Sequence, residues 1–283
     1  MLFIARLFNM IIRKLLLISV LMGAFIVQSK ADWPMLPNGI ILNPSDPTQA
    51  YSDIAFEGEL FDMLEGNLWA WTLSGGVAFA KNRHQLSIDI PIVRSEYPGV
   101  ENLTGIGDIA FRYHFVAYRS DIQIKTHASS ALYLDLSIPT GNTLKGHGAG
   151  VPVLMPGLVF AYKPVSQIAI YPEVMYLHSF GEANGDWGGG YPGSIPDNPG
   201  TETNKIRLMQ VLILFNVEFN EAWLGLAPAY SYSFTSNEST LSIRPEIGKL
   251  FGEKVSLKLS GSFFVAGRRR LNSWAYFDIR YYF

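Results

Sequence analysis

The side chains whose types and spacing stand out are charged groups set singly among apolar residues at alternate positions. Acids at Asp89, Asp108, Asp135, Glu173, Glu218, Glu246 and Asp278, and bases at Arg112, Arg244, Lys258 and Arg280, stand on the opposite side of a two-residue repeat from Leu, Ile, Val, Phe or Tyr. Neither sign dominates. Opposed charges across a narrow pore set selectivity in channels, and the same groups would satisfy one another in a filled, non-conducting barrel.

Covalent chemistry finds less support. A lipid hydrolase in a barrel would need a serine with a histidine as base, and a protease or deacylase a histidine with carboxylates near the rim. Of the five histidines, His114 shares the face of Arg112, His127 and His178 lie near strand ends, and His84 and His147 lie in links. None forms such a set, so they are expected to be polar lining, and no catalytic residue and no cofactor are assigned. Glu182, Asn184 and Asp186 space oxygens as a calcium loop does, but Gly193 stands at the twelfth position where a bidentate glutamate belongs, so no metal site is assigned. Gly146, Gly148 and Gly150 lack the strand-to-helix setting of a nucleotide loop. Arg268 to Arg270 could pair with lipopolysaccharide phosphates or form a solvated turn.

The elements that would carry these residues are strands. Trp69, Trp71, Leu73, Val77 and Phe79 oppose Ala70, Thr72, Ser74, Gly76 and Ala78, and Leu86, Ile88, Ile90 and Ile92 oppose Ser87, Asp89 and Pro91. Similar alternation follows through Ile109–Phe115, Leu132–Ile138, Leu158–Tyr162, Ile170–Tyr176, Val211–Phe219, Leu224–Phe234, Ile243–Ile247 and Val255–Phe263. A first strand is expected over about Ser52 to Phe61, and the last runs from Trp274 to Phe283. That makes twelve, an even number as in bacterial barrels, between the regimes of filled 8-stranded and open 16- to 18-stranded barrels.

Connection lengths alternate. Links at about 251–254, 220–222, 163–167, 119–122 and 81–84 are short, whereas 266–273, 235–240, 180–204, 139–153 and 95–105 are mostly longer. Short turns belong to the periplasmic side, which puts both termini there and the Gly181–Lys205 loop outside the cell. Pairing across these links is expected to gather Arg244, Glu246, Lys258 and Arg280 into one patch, with Glu246 opposite Ser260 and Arg280 beside Ser260.

Composition agrees. The chain is 48% hydrophobic and 13% aromatic, with 16% charged residues and a net charge of −2, which gives no basic footprint for nucleic acid. Arg6, Arg13 and Lys14 precede the apolar run Leu15–Val27, and Ser29-Lys30-Ala31 ends it, as in a cleavable leader over 1–31. That run is shorter than the roughly 20 residues needed to span a bilayer. No later stretch can cross as a helix, so insertion requires a closed barrel. A soluble antiparallel barrel would carry more lysine and glutamate on its polar face than the glycine, alanine and serine found here. With no cysteine there is neither a lipid anchor nor a disulfide.

The closing aromatics Phe277, Ile279, Tyr281 and Phe283 are similar to the terminal strand that outer-membrane proteins show to their insertion machinery. Thr104-Gly-Ile-Gly-Asp-Ile-Ala-Phe-Arg-Tyr113, Leu136-Ser-Ile-Pro-Thr-Gly-Asn142 and Gly146-His-Gly148 resemble outer-membrane proteins named for the meta-pathway of phenol degradation, whose members are regarded as candidate transporters. In that family Gly-x-Gly-Asp opens one strand and Pro-Thr-Gly ends the next, matching Gly105–Asp108 and Pro139–Gly141. Backbone freedom at a strand entry explains the same glycines.

The expectation is therefore an all-β, transmembrane antiparallel barrel of about twelve strands over 52–283, in the outer membrane of a Gram-negative cell. Residues 32–51 form a proline-rich periplasmic segment able to fold into the mouth, because Trp33, Met35 and Leu36 need an apolar partner. The expected partners are outer-membrane lipid, lipopolysaccharide, the insertion machinery and a small, aromatic or apolar solute passing by diffusion. A non-conducting structural or surface-binding barrel is the alternative.

Overall fold

The computed structural model describes residues 33–35, 41–63, 66–96, 103–120, 127–142, 147–182, 205–268 and 271–283. The expected leader, Leu36 and most of the Gly181–Lys205 loop lie outside them. The strands are β1 Asp53–Met63, β2 Gly66–Phe79, β3 His84–Glu96, β4 Leu103–Ile106, β5 Ile109–Arg119, β6 His127–Ile138, β7 Val153–Val165, β8 Ile168–Ser179, β9 Arg207–Phe219, β10 Ala222–Ser233, β11 Glu238–Phe251, β12 Val255–Gly267 and β13 Leu271–Tyr282.

Each strand pairs antiparallel with the next, except that β3 pairs with both β4 and β5, and β1 also pairs with β13, so the sheet closes. Both β4 and β5 pair with β3 and are separated only by Gly107 and Asp108. They form one interrupted stave, which makes twelve staves. Closure leaves no strand edge to be satisfied in hydrocarbon.

Alternation dictates the faces. Leu73, Val77, Leu86, Ile92, Phe111, Leu132, Phe160, Phe215, Ile247, Leu259 and Phe263 are exposed on the outer wall, while inward neighbours such as Ala70, Val93, Ala131, Val159 and Ala229 are buried. An exterior of this kind is stable only against lipid. Phe277, Ile279, Tyr281 and Phe283 lie on the same outer face. Phe277 seals the β1–β13 seam by lying over its cross-strand partner Gly58, where a Cβ would come within 2.1 Å of the ring. Phe56 packs beside Phe277, ring centroids 5.8 Å apart.

The two ends of the barrel differ. At the turn end, Asn220 and Glu221, both at positive φ (44° and 61°), join β9 to β10 in the two-residue turn whose twist suits a hairpin. The β5–β6 link at this end is longer than expected, since β5 stops at Arg119 and β6 starts at His127. The links β2–β3, β7–β8 and β11–β12 turn at this same end, whereas the connection from Ile138 to Val153 lies at the loop end. There the interior is apolar: Phe61, Met63, Leu68, Val93 and Leu271 pack on one wall, and Ala149, Val153, Met155, Met175, Leu177 and Leu208 on another.

Candidate functional site

The candidate site is the lumen, and chain from outside the wall crosses it. Residues 41–51 run through the turn end. Leu42 and Tyr51 pack with Leu250 and Tyr282, and Thr48 shares a hydrogen bond with Ser129 on β6. Asp46 organises the bend by accepting from the Thr48 backbone N–H at 3.0 Å and from its hydroxyl at 2.7 Å. The Tyr51 hydroxyl donates to the Ile41 carbonyl and accepts from the Asn43 N–H, both at 3.0 Å. Burial pushes its phenol well above the ordinary value, so Tyr51 remains a donor.

Glu218 on β9 holds this segment in place. It is 1% exposed and accepts from Trp33 Nε1 at 3.0 Å, Asn43 Nδ2 at 3.2 Å and Ser45 Oγ at 2.9 Å. From the wall, Lys163 Nζ at 3.0 Å and the Tyr171 hydroxyl at 3.1 Å complete the shell. Lys163 also lies 3.9 Å from Asp46. A buried carboxylate is tolerable only with partners of this kind. Trp33 packs against Trp223, ring centroids 6.3 Å apart. Met35, expected to need an apolar partner, is instead 67% exposed. It pairs with Ile41 in an isolated antiparallel bridge.

Two cavities flank the segment. The one toward the loop end has a volume of about 430 Å³ and includes Trp274, Tyr133, Met155, Met175, Arg244 and Glu173 in its lining. The one toward the turn end, about 390 Å³, is more polar and includes Asp53, Lys258, Asp278, Arg280, Glu246 and Gln85. Pro47, Glu57, Asp89, Arg112 and His114 border both, so the two cavities adjoin there.

The inward charges are tied to the wall. Arg112 grips Asp135 through two bonds of 2.7 Å from Nε and Nη2, across the direct Arg112–Asp135 register pair. Arg280 holds Asp53 at 2.8 Å, Glu57 at 2.9 Å and Asp278 at 3.1 Å. Glu173 accepts from the Tyr133 hydroxyl, Asp89 from the Ser74 hydroxyl, and Glu246 from Trp223 Nε1 at 2.9 Å. Lys258 sits 4.9 Å over the Tyr276 ring, and Arg244 5.9 Å over that of Trp274.

The expected four-residue patch is therefore divided. Glu246 does face Ser260, but Arg280 pairs with Ser256, and Tyr276 takes the place opposite Ser260. The cause is the last hairpin. β12 ends at Gly267, at φ +95°, and β13 already begins at Leu271, so the turn falls earlier than the 266–273 link implied. Arg244 lines the loop-end cavity, whereas Glu246, Lys258 and Arg280 line the other.

Asp108 lies in the break between β4 and β5, where it lines the loop-end cavity. Its carboxylate accepts from the Gly141 N–H at 2.9 Å and the Ala149 N–H at 2.7 Å. Thr140 Oγ1 donates to the Gly107 carbonyl at 2.8 Å. A Cβ on Gly148 would come within 2.2 Å of Asp108, so the carboxylate and the loop meet only because that residue is glycine. These contacts clasp the loop after β6 against the loop-end mouth, where His147 and Gly148 line the cavity. The spaced motifs Gly105–Asp108, Pro139–Gly141 and Gly146–Gly148 thus meet in one clasp, although Gly146 itself lies outside the described residues.

Of the other histidines, His114 lines both cavities, and His127 shares the β6 face of the inward Ser129 and Ala131 and bonds Ser120 Oγ at 3.2 Å. His84 stacks on Phe79 and Phe115 outside the barrel, and His178 on Tyr176. Among the described residues no group of three or more His, Asp or Glu side chains could hold a metal ion. Asp53, Glu57 and Glu59 are inward acids that the sequence reading did not assign. Their signal was the alternation Asp53, Ala55, Glu57, Glu59 against Ile54, Phe56, Gly58, Leu60, broken to the eye by Gly58 on the outer face.

A closed antiparallel barrel with an apolar exterior and a charged lumen is an outer-membrane β-barrel. The chain belongs to the family described as "Putative MetA-pathway of phenol degradation", whose model matches residues 51–279. In structure it is similar to an outer-membrane channel from Pseudomonas putida F1, with a TM-score of 0.61 and 12% identity, covering 86% of this chain and all of that one. Weaker likenesses are to the NanC porin, with a TM-score of 0.49, 7% identity and 81% and 98% of the two chains covered, and to the KdgM porin, with 0.46, 9%, 82% and 99%. Comparison with curated proteins gave no match.

Proposed function

We propose that this barrel is a passive channel for a small solute with an apolar or aromatic body, entering at the loop end from outside the cell. The observation that carries this is the loop-end cavity of about 430 Å³, in which Trp274, Tyr133, Met155 and Met175 offer apolar and ring surface beside Arg112, Arg244 and Glu173. An apolar wall with a few placed polar groups suits a small organic molecule. The family's phenol-degradation description and the channel assignment of the P. putida protein support the same reading.

In this reading both termini are periplasmic, residues 1–31 are a cleaved leader, and residues 32–51 plug the barrel of 52–283. Selectivity lies at the passage framed by Pro47, Glu57, Asp89, Arg112 and His114. The remaining charges, Asp135, Glu173, Arg244, Glu246, Lys258, Asp278 and Arg280, line the approaches, and Asp108 positions the mouth. Phe277, Ile279, Tyr281 and Phe283 form the signal for the insertion machinery. The test is single-channel recording on purified protein with small aromatic solutes added on the loop side. They should reduce the ionic current, and Trp274→Ala should weaken that block. A current indifferent to aromatic solutes would reject the proposed solute class.

A further inference from the structure

The outer wall carries a cationic site at the loop end that takes no part in the lumen. Arg207 opens β9 and is exposed on the face of Val211 and Ile213, while its neighbours Leu208 and Gln210 point inward and are buried. Register places His178 of β8 directly beside it, and on the other side the Phe234 N–H donates to the Arg207 carbonyl at 2.8 Å. Aromatic groups surround this position. Tyr176 meets Phe234 with centroids 6.2 Å apart, Tyr232 meets Phe234 at 5.0 Å, and His178 meets Phe180 at 5.2 Å. Phe180 and Phe234 are more than half exposed. Lys205, also exposed, lies two residues before Arg207. Among the described residues Arg207 has no ion-pair partner.

Exposed rings on the outer face of a barrel mark the bilayer-water boundary. An arginine at that depth with no ion-pair partner among the described residues can meet lipid headgroups, and its planar fork matches phosphate oxygens. We infer that Arg207, with Lys205 and His178, binds a phosphate of lipid A in the outer leaflet, while Phe180 and Phe234 pack against its sugar and acyl boundary. The leaflet follows from the orientation in the proposed function, but binding to purified protein does not depend on it.

The test is native mass spectrometry of the detergent-purified full chain titrated with bisphosphorylated lipid A, comparing wild type with Arg207→Gln and with the double variant Arg207→Gln/Lys205→Gln. Retention of the heat-modifiable gel form and of wild-type conductance shows that the variants are folded and separates this inference from the channel proposal. Loss of one charge-assisted contact should weaken binding about tenfold in the single variant, and further in the double. Wild type should bind dephosphorylated lipid A no better than the single variant binds the phosphorylated form. Equal affinity of wild type and variants, or indifference to the phosphates, would overturn the inference. Displacement of lipid A by millimolar inorganic phosphate would also overturn it, by assigning the site to a free anion.

Discussion

Replacing Glu218 with glutamine should loosen the segment that crosses the lumen while leaving the wall closed. Three bonds from the segment end on this carboxylate, from Trp33, Asn43 and Ser45, at 2.9 to 3.2 Å. A bond to a charged acceptor contributes about 1.5–3 kcal/mol, a neutral one about 0.5–1.5. Losing the charge thus weakens each by about 1 kcal/mol, and the three together by about 3 kcal/mol if they add. At 1.4 kcal/mol per tenfold, the displaced population should rise about a hundredfold. Lys163 keeps Asp46 at 3.9 Å, and β9 keeps its backbone pairing to β8 and β10, so the barrel should still insert. In planar bilayers the variant should spend far more time in a high-conductance state than wild type. Identical open-state occupancy in a correctly folded variant would refute the idea that Glu218 holds the segment.

Replacing Asp89 with asparagine removes an acid from the passage, so the reversal potential under a salt gradient should shift toward anions; Arg112→Gln should shift it toward cations, and an unmoved potential in both would place the filter elsewhere. Asp108→Asn removes the charged acceptor of the Gly141 and Ala149 N–H groups, a loss of about 1–3 kcal/mol, so the loop after β6 should be cut faster by protease than in wild type while the barrel stays resistant. Deleting Phe283 should lower the folded, heat-modifiable form on unboiled gels, and unchanged levels would deny that residue a role in assembly.

The staves and their faces were legible in the sequence because lipid accepts only apolar side chains, which imposes a strict two-residue rhythm on residues such as Leu86, Ile88, Ile90 and Ile92. The rhythm fails where packing supplies what the side chain lacks. Gly58 reads as a gap in the alternation of the first strand, yet Phe277 from the far end of the chain covers it, so the strand was expected while its inward acids Asp53, Glu57 and Glu59 were not assigned. Register around the last hairpin was not legible, since the turn at Gly267 rather than the charge pattern decides whether Arg280 meets Ser256 or Ser260. Nor could the clasp at Asp108 be read, because it joins backbone N–H groups about 33 and 41 positions away that no side-chain pattern announces. The Glu218 shell depends likewise on contacts between residues 33–45 and a strand near the other end of the chain.

The most direct test of a plugged passive channel compares single-channel conductance of the mature protein with that of a variant lacking residues 33–51, recorded in the same bilayers with folding checked by the unboiled gel form. Removing the segment takes Pro47 out of the border shared by the cavities of about 430 and 390 Å³, which should open one path through them. The truncated protein should show a larger and steadier conductance. Equal conductance in the two proteins would contradict the plug, and no conductance in either would contradict the channel itself.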